Sequence, residues 1–91
     1  MVSVIGAMEE KRRVLPITYT KHSVERMVAI GLTREHVDEA VRQGVLIRMG
    51  KLKARMRMRR KVGVIVITCV FFPDEIRVIT INIGGEKDEM P

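Results

Sequence analysis

Aromatic side chains are nearly missing from this chain of 91 residues, which holds no tryptophan, one tyrosine (Tyr19) and two phenylalanines (Phe71 and Phe72). Modules that read RNA by stacking bases on a sheet need several rings on one surface, so an RRM-type or OB-type platform is not expected. Cysteine occurs once, as Cys69. That excludes an internal disulfide and any cysteine-based zinc site, and it fits an intracellular redox setting. Long apolar runs are missing too: the longest, over 62–72, is about half of what a membrane-spanning helix needs. The opening MVSVIGAM has no basic residue ahead of its apolar ones, unlike a signal peptide, so a soluble cytoplasmic protein is expected. There is no glycine-rich phosphate loop and no cluster at metal-ligand spacing; no cofactor and no metal are expected.

Acids are absent from one stretch in particular. Residues 51–61, KLKARMRMRRK, carry seven cations and no carboxylate, while the other eighty residues carry ten cations against eleven acids. The net charge of +6 is therefore local, which favours a polyanion-binding face over a generally sticky protein. Within it Lys51, Lys53, Arg55, Arg57, Arg59 and Lys61 alternate with Leu52, Ala54, Met56 and Met58. A period of two is that of a strand, with cations on one face about 6.7 Å apart. That spacing roughly matches the phosphate repeat of an extended nucleic-acid strand. Blunting of an edge strand against aggregation would require only one or two of these charges.

The rest of the chain fits one small domain over 14–85, with a flexible arm over 1–13 and an acidic tail over 86–91. Val14 to Thr20, interrupted by Pro16, suits an edge strand. From Lys21 the period is helical, with Val24, Met27 and Val28 on one stripe and Gly31 as the stop. Thr20 or Ser23 can cap that helix. Thr33 is an N-cap for a second helix, in which Val37, Ala40 and Val41 form the buried stripe, Leu32 and Val37 a hydrophobic staple, and Gly44 the end. Four strands follow, Val45 to Met49, Leu52 to Arg59, Val62 to Phe72 and Glu75 to Ile83, with the third central because it is apolar on both faces. The last strand is expected to put Ile79, Ile81 and Ile83 on one face and Val78, Thr80 and Asn82 on the other. His36 is expected to be solvated, and Cys69 to be a small core residue.

The run Ile17-Thr-Tyr-Thr-Lys-His22-Ser-Val-Glu-Arg26-Met, then Gly31-Leu-Thr-Arg-Glu-His-Val, then Arg77-Val-Ile-Thr80, resembles a family of small uncharacterised domains. That family is similar in turn to the RelE and BrnT toxins and the colicin D type of transfer-RNA nuclease. The resemblance covers roughly residues 15–83. It implies an α+β fold with two short helices on one face of a four- to five-stranded antiparallel sheet. It also implies RNA as partner, an antitoxin protein if the chain is a toxin, and metal-independent cleavage in which the 2′-hydroxyl attacks the neighbouring phosphate. His22 would be the acid or base and Arg26 the phosphate clamp one helical turn on, with Thr80 matched more loosely; Lys21 and some of Arg55, Arg57 and Arg59 would complete the site, the arginines being added from the charge ladder alone.

Three readings of the residues stay open. The chain is an RNA-acting endoribonuclease, or a catalytically inert RNA- or protein-binding module on the same fold, or a homo-oligomer that buries Met56 and Met58 against another subunit. The absence of a second well-placed acid or base weakens the enzyme reading.

Overall fold

A computed structural model describes residues 3–61 and 63–84. Three helices and five strands follow one another as α1 (Val4–Val14), β1 (Ile17–Tyr19), α2 (Lys21–Ile30), α3 (Arg34–Gln43), β2 (Val45–Arg48), β3 (Lys53–Arg60), β4 (Gly63–Phe71) and β5 (Ile76–Gly84). The strands form one sheet in the order β1-β5-β4-β3-β2. Pairing is antiparallel except at β1, which lies parallel to β5 with Ile17 opposite Ile76 and Tyr19 opposite Val78. The expected antiparallel sheet is thus a mixed one. β1 comes before α2 and α3 in the chain yet lies at the far edge beside β5, and the two run the same way.

Local chemistry accounts for the helix ends. Ser3 accepts from the Gly6 amide at 2.9 Å to start α1, and the chain turns extended at Leu15 because Pro16 disfavours helical geometry in the residue before it. Thr20 and Thr33 cap α2 and α3. Gly31, at φ +86°, supplies the left-handed turn that ends α2, its amide donating to the Met27 carbonyl at 2.8 Å. Gly44 ends α3 where no side chain fits: a Cβ there would lie 2.5 Å from the Ala40 oxygen and 2.8 Å from the Arg57 oxygen.

All three helices share one side of the sheet: α2 lies over β5, α3 over β3 and β4, and α1 against α3. Their core face meets Ala54 and Met56 of β3, Ile65, Ile67, Cys69 and Phe71 of β4, and Ile76, Val78 and Ile81 of β5. From the helices come Met27, Leu32, Val37, Ala40 and Val41, with Met8 from α1. β4 is the central strand, as its two apolar faces require. The stripe of α2 differs from its pattern. Ser23 and Met27 are buried, whereas Val28 is 77% exposed. Ser23 can be buried because its hydroxyl donates to the Thr20 carbonyl at 2.8 Å.

The expected arm over 1–13 is corrected by α1, which docks through an unusual pair of residues. Met8 and Arg12, four apart, are its buried side. Arg12, 8% exposed, donates through Nη1 to the Val41 and Gly44 carbonyls at 3.2 and 2.6 Å and through Nε to Glu9 at 2.8 Å. Arg42 of α3 answers by donating to the Arg12 and Leu15 carbonyls at 2.7 and 3.1 Å. A buried stripe made of one methionine and one arginine carries no apolar period, so the alternation gives no warning of the helix. The acidic tail over 86–91 lies outside the described residues.

β5 holds a second correction. Thr68 pairs with Thr80 but Cys69 pairs with Val78, so Ile79 is an extra residue. The bulge shifts the phase: Ile76, Val78, Ile81 and Ile83 fall on the helix side, and Arg77, Thr80 and Asn82 on the other.

Replacing Arg12 by methionine keeps the apolar stem and strands two helix C-terminal carbonyls. Loss of a buried bonding partner costs about 1–3 kcal/mol. The urea midpoint should fall accordingly, and an unchanged midpoint would show that the clasp does not hold α1.

Candidate nucleic-acid interface

The side of the sheet away from the helices carries no helix among the described residues, and the cations of β3 lie on it. Ala54 and Met56 point into the core, so Lys53, Arg55, Arg57 and Arg59 must point out. Strand register extends each rung into a row across the sheet. Ile47, Arg55, Thr68 and Thr80 make one row, and Val45, Arg57, Val66 and Asn82 the next. Lys53, Val70, Arg77 and Thr18 form a third, and Arg59, Val64 and Gly84 a fourth. Side chains directly opposite in such rows sit about 5 Å apart. Lys51 and Lys61 fall outside the strand, in the bend before it and the turn after it, so the ladder of six becomes four rungs with a lysine at each end.

Along β4 the middle of this face is valine except at Thr68, and its β2 edge is apolar. Thr68, only 7% exposed, lies between Arg55 and Thr80, while Val45 at the edge is 68% exposed beside Arg57. Thr80, expected from the resemblance, is therefore brought to the ladder. Thr68 and Asn82 were not singled out from the sequence. The β4–β5 register would have pointed to them, but the bulge at Ile79 hides that register.

His22, Lys21 and Arg26 are elsewhere. They belong to α2, which covers β5 on the helix side, so the sheet stands between them and the ladder. Beyond Tyr19, β1 ends and the outer edge of β5 is bare. Thr20 and Arg26 cover it. The Thr20 amide donates to the Val78 carbonyl at 3.2 Å, its hydroxyl to the Ile79 carbonyl at 3.2 Å, and Arg26 Nε to the Ile81 carbonyl at 3.2 Å. Arg26 thus replaces a missing strand. His22 is exposed and has no hydrogen-bond partner among the described residues.

The three aromatic rings are occupied. Phe71 is core, the Arg77 guanidinium stacks 4.6 Å over Phe72, and Arg34 lies 4.9 Å over Tyr19. The Tyr19 hydroxyl donates to Asp38, and burial followed by that carboxylate pushes its pKa well above the ordinary phenol value. At the β1–β5 end, Glu75 accepts from Thr18 at 2.7 Å and from Arg77 Nη2 at 2.8 Å. Those bonds, Thr18's first, hold its carboxyl below the usual range. Arg77 therefore has its own counter-ion. Cys69 is fully buried, and burial pushes its thiol up to about 12. No three histidine, cysteine, aspartate or glutamate side chains gather where they could hold a metal ion among the described residues. No described helix is long and apolar enough to cross a membrane.

The chain matches no protein-family model, no curated protein and no solved structure.

Two measurements test these placements. Arg26→Ala should lower the free energy of unfolding by about 1 kcal/mol, because an edge carbonyl loses its donor. His22→Ala should change it by less than about 0.5 kcal/mol, as exposed sites do. Equal effects would contradict the edge role of Arg26. Iodoacetamide at pH 8 should leave Cys69 unmodified until denaturant is added, and rapid alkylation of the native chain would show an accessible thiol.

Proposed function

We propose that this chain is a RelE/BrnT-like RNA-acting protein that holds the phosphate backbone of a single RNA strand on the open face of its sheet. One observation carries the reading: four cations, Lys53, Arg55, Arg57 and Arg59, lie at strand spacing on a face that no described helix covers. A rung repeat of about 6.7 Å roughly matches the phosphate spacing of an extended strand. Thr80 and Asn82 beside the rungs add a hydroxyl and an amide able to bond phosphate and sugar oxygens. With every aromatic ring engaged, the bases have no stacking platform, so recognition falls on the backbone and is independent of sequence.

Binding without cleavage is the form of this reading that the geometry supports best. The open face offers arginine, lysine, threonine, asparagine and valine, none of which accepts a proton at neutral pH. The second reading, a metal-independent endoribonuclease toxin, draws on the proximity of Thr80 to Arg55 and on His22 and Arg26 sharing one flank of α2. An antitoxin protein would then cover the open face, with Val45 and Ile47 as apolar anchors beside the cations.

Four rungs on a single strand give a slope of roughly −3 for log affinity against log salt. Substituting Arg55, Arg57 and Arg59 by glutamine should flatten that slope and weaken every RNA sequence alike, and a salt-independent affinity would remove the proposal. Incubation with transfer RNA in EDTA separates the two forms: intact RNA is expected. Cyclic-phosphate ends that vanish in His22→Ala would establish the nuclease instead.

A further inference from the structure

A cavity of about 380 Å³ opens where the α2–α3 link meets the β3–β4 hairpin, lined by Gly31, Leu32, His36, Arg59, Arg60 and Lys61. Among the described residues its polar lining is three cations and an imidazole, with no carboxylate. His36 is held by the capping box: its Nδ1 accepts from the Thr33 amide at 3.3 Å while its own amide donates to Thr33 Oγ1 at 3.2 Å. With Nδ1 serving as acceptor, the neutral ring carries its proton on Nε2, which makes that nitrogen a donor. Arg60 is steadied by Glu39, to which Nη1 donates at 2.7 Å, and by the Met58 sulfur at 3.6 Å. Glu39 offsets that one charge, and Lys61 supplies another. The apolar part is Leu32, buried, and the backbone of Gly31, beside whose Cβ position nothing lies within 4 Å. The volume exceeds what a bare oxyanion fills and sits near the lower end of the roughly 300–1,000 Å³ of small-molecule sites.

We propose that this cavity binds the phosphomonoester of a nucleotide, the phosphate meeting His36, Arg60 and Lys61 and the nucleoside lying against Gly31 and Leu32. Cations with a preset donor select the anion, and the apolar wall selects something larger than phosphate. Arg59, the last rung of the ladder, also lines the cavity, so the nucleotide is either free or the phosphorylated end of a bound strand. The strand-end source rests on the proposed function; the free-nucleotide source does not.

The test titrates the isotopically labelled chain with adenosine 5′-monophosphate and with adenosine, following backbone amides by NMR. The monophosphate should shift Leu32, His36 and Lys61 in a saturable way, and adenosine should bind at least about tenfold more weakly. His36→Gln with Lys61→Gln should weaken the monophosphate about tenfold as well, since glutamine keeps the capping box and only the imidazole and one charge are lost. Shifts confined to the rungs of β3, equal affinity for adenosine, insensitivity to the double variant, or no saturation by about 10 mM would each overturn the site. A short oligoribonucleotide with and without a 5′-phosphate distinguishes the sources. A preference for the phosphorylated end, abolished by the double variant, supports the strand end; no preference alongside monophosphate binding supports the free nucleotide. Lys53→Gln with Arg55→Gln lies outside the cavity and should weaken the oligonucleotide alone. If it does not, while the monophosphate still binds, the ladder reading falls and the cavity stands.

Discussion

The register of β3 is the constraint on which the other features rest. Ala54 and Met56 must be buried beneath α3, and because side chains alternate, that burial sends Lys53, Arg55, Arg57 and Arg59 to the opposite face. A slip of one residue would drive four cations into the core and expose both apolar residues. Burying a methionine contributes about 2 kcal/mol, whereas an unpaired buried charge costs several. The two terms act in the same direction, so the register is strongly determined. β4 then transmits it: its helix side pairs with the core of β3 and β5, and its open side brings Thr68 between Arg55 and Thr80.

Arginine does two different jobs in this molecule. On β3 it is a charged surface. Elsewhere it replaces missing backbone partners: Arg12 for the last carbonyls of α3, Arg42 for those at the end of α1, and Arg26 for the β5 edge that the short β1 leaves bare. A planar group with several donors on a long stem suits this task. The consequence for function is that arginine content overstates the charge available to a ligand. Arg77, balanced by Glu75, reduces it further.

Much of the fold was legible because its signals are local. The two threonine caps, the glycine stops at Gly31 and Gly44, the buried stripe Val37, Ala40 and Val41, and the alternation of β3 all involve residues within a turn or two of each other. What escaped was non-local or chemically atypical. α1 buries an arginine, α2 buries a serine while exposing Val28, and β5 changes phase at Ile79. The parallel entry of β1 depends on a partner nearly sixty residues away in sequence. Of the expected site, Thr80 joined the ladder, whereas His22 and Arg26 did not.

By itself, the sequence determined that one face of one strand would be cationic, because a period of two combined with charge admits a single placement once the apolar side is buried. It also determined that an internal disulfide and a cysteine-based zinc site were out of reach, since one cysteine supplies neither. Only the tertiary structure decided which groups share that face with the cations and which lie behind the sheet. Strand order and a one-residue bulge set those neighbours, and both depend on pairings that no short stretch of chain encodes. The meeting of His36 with the β3–β4 turn around one cavity is of the same kind: residues some twenty-five apart in sequence were brought together by packing α3 on β3.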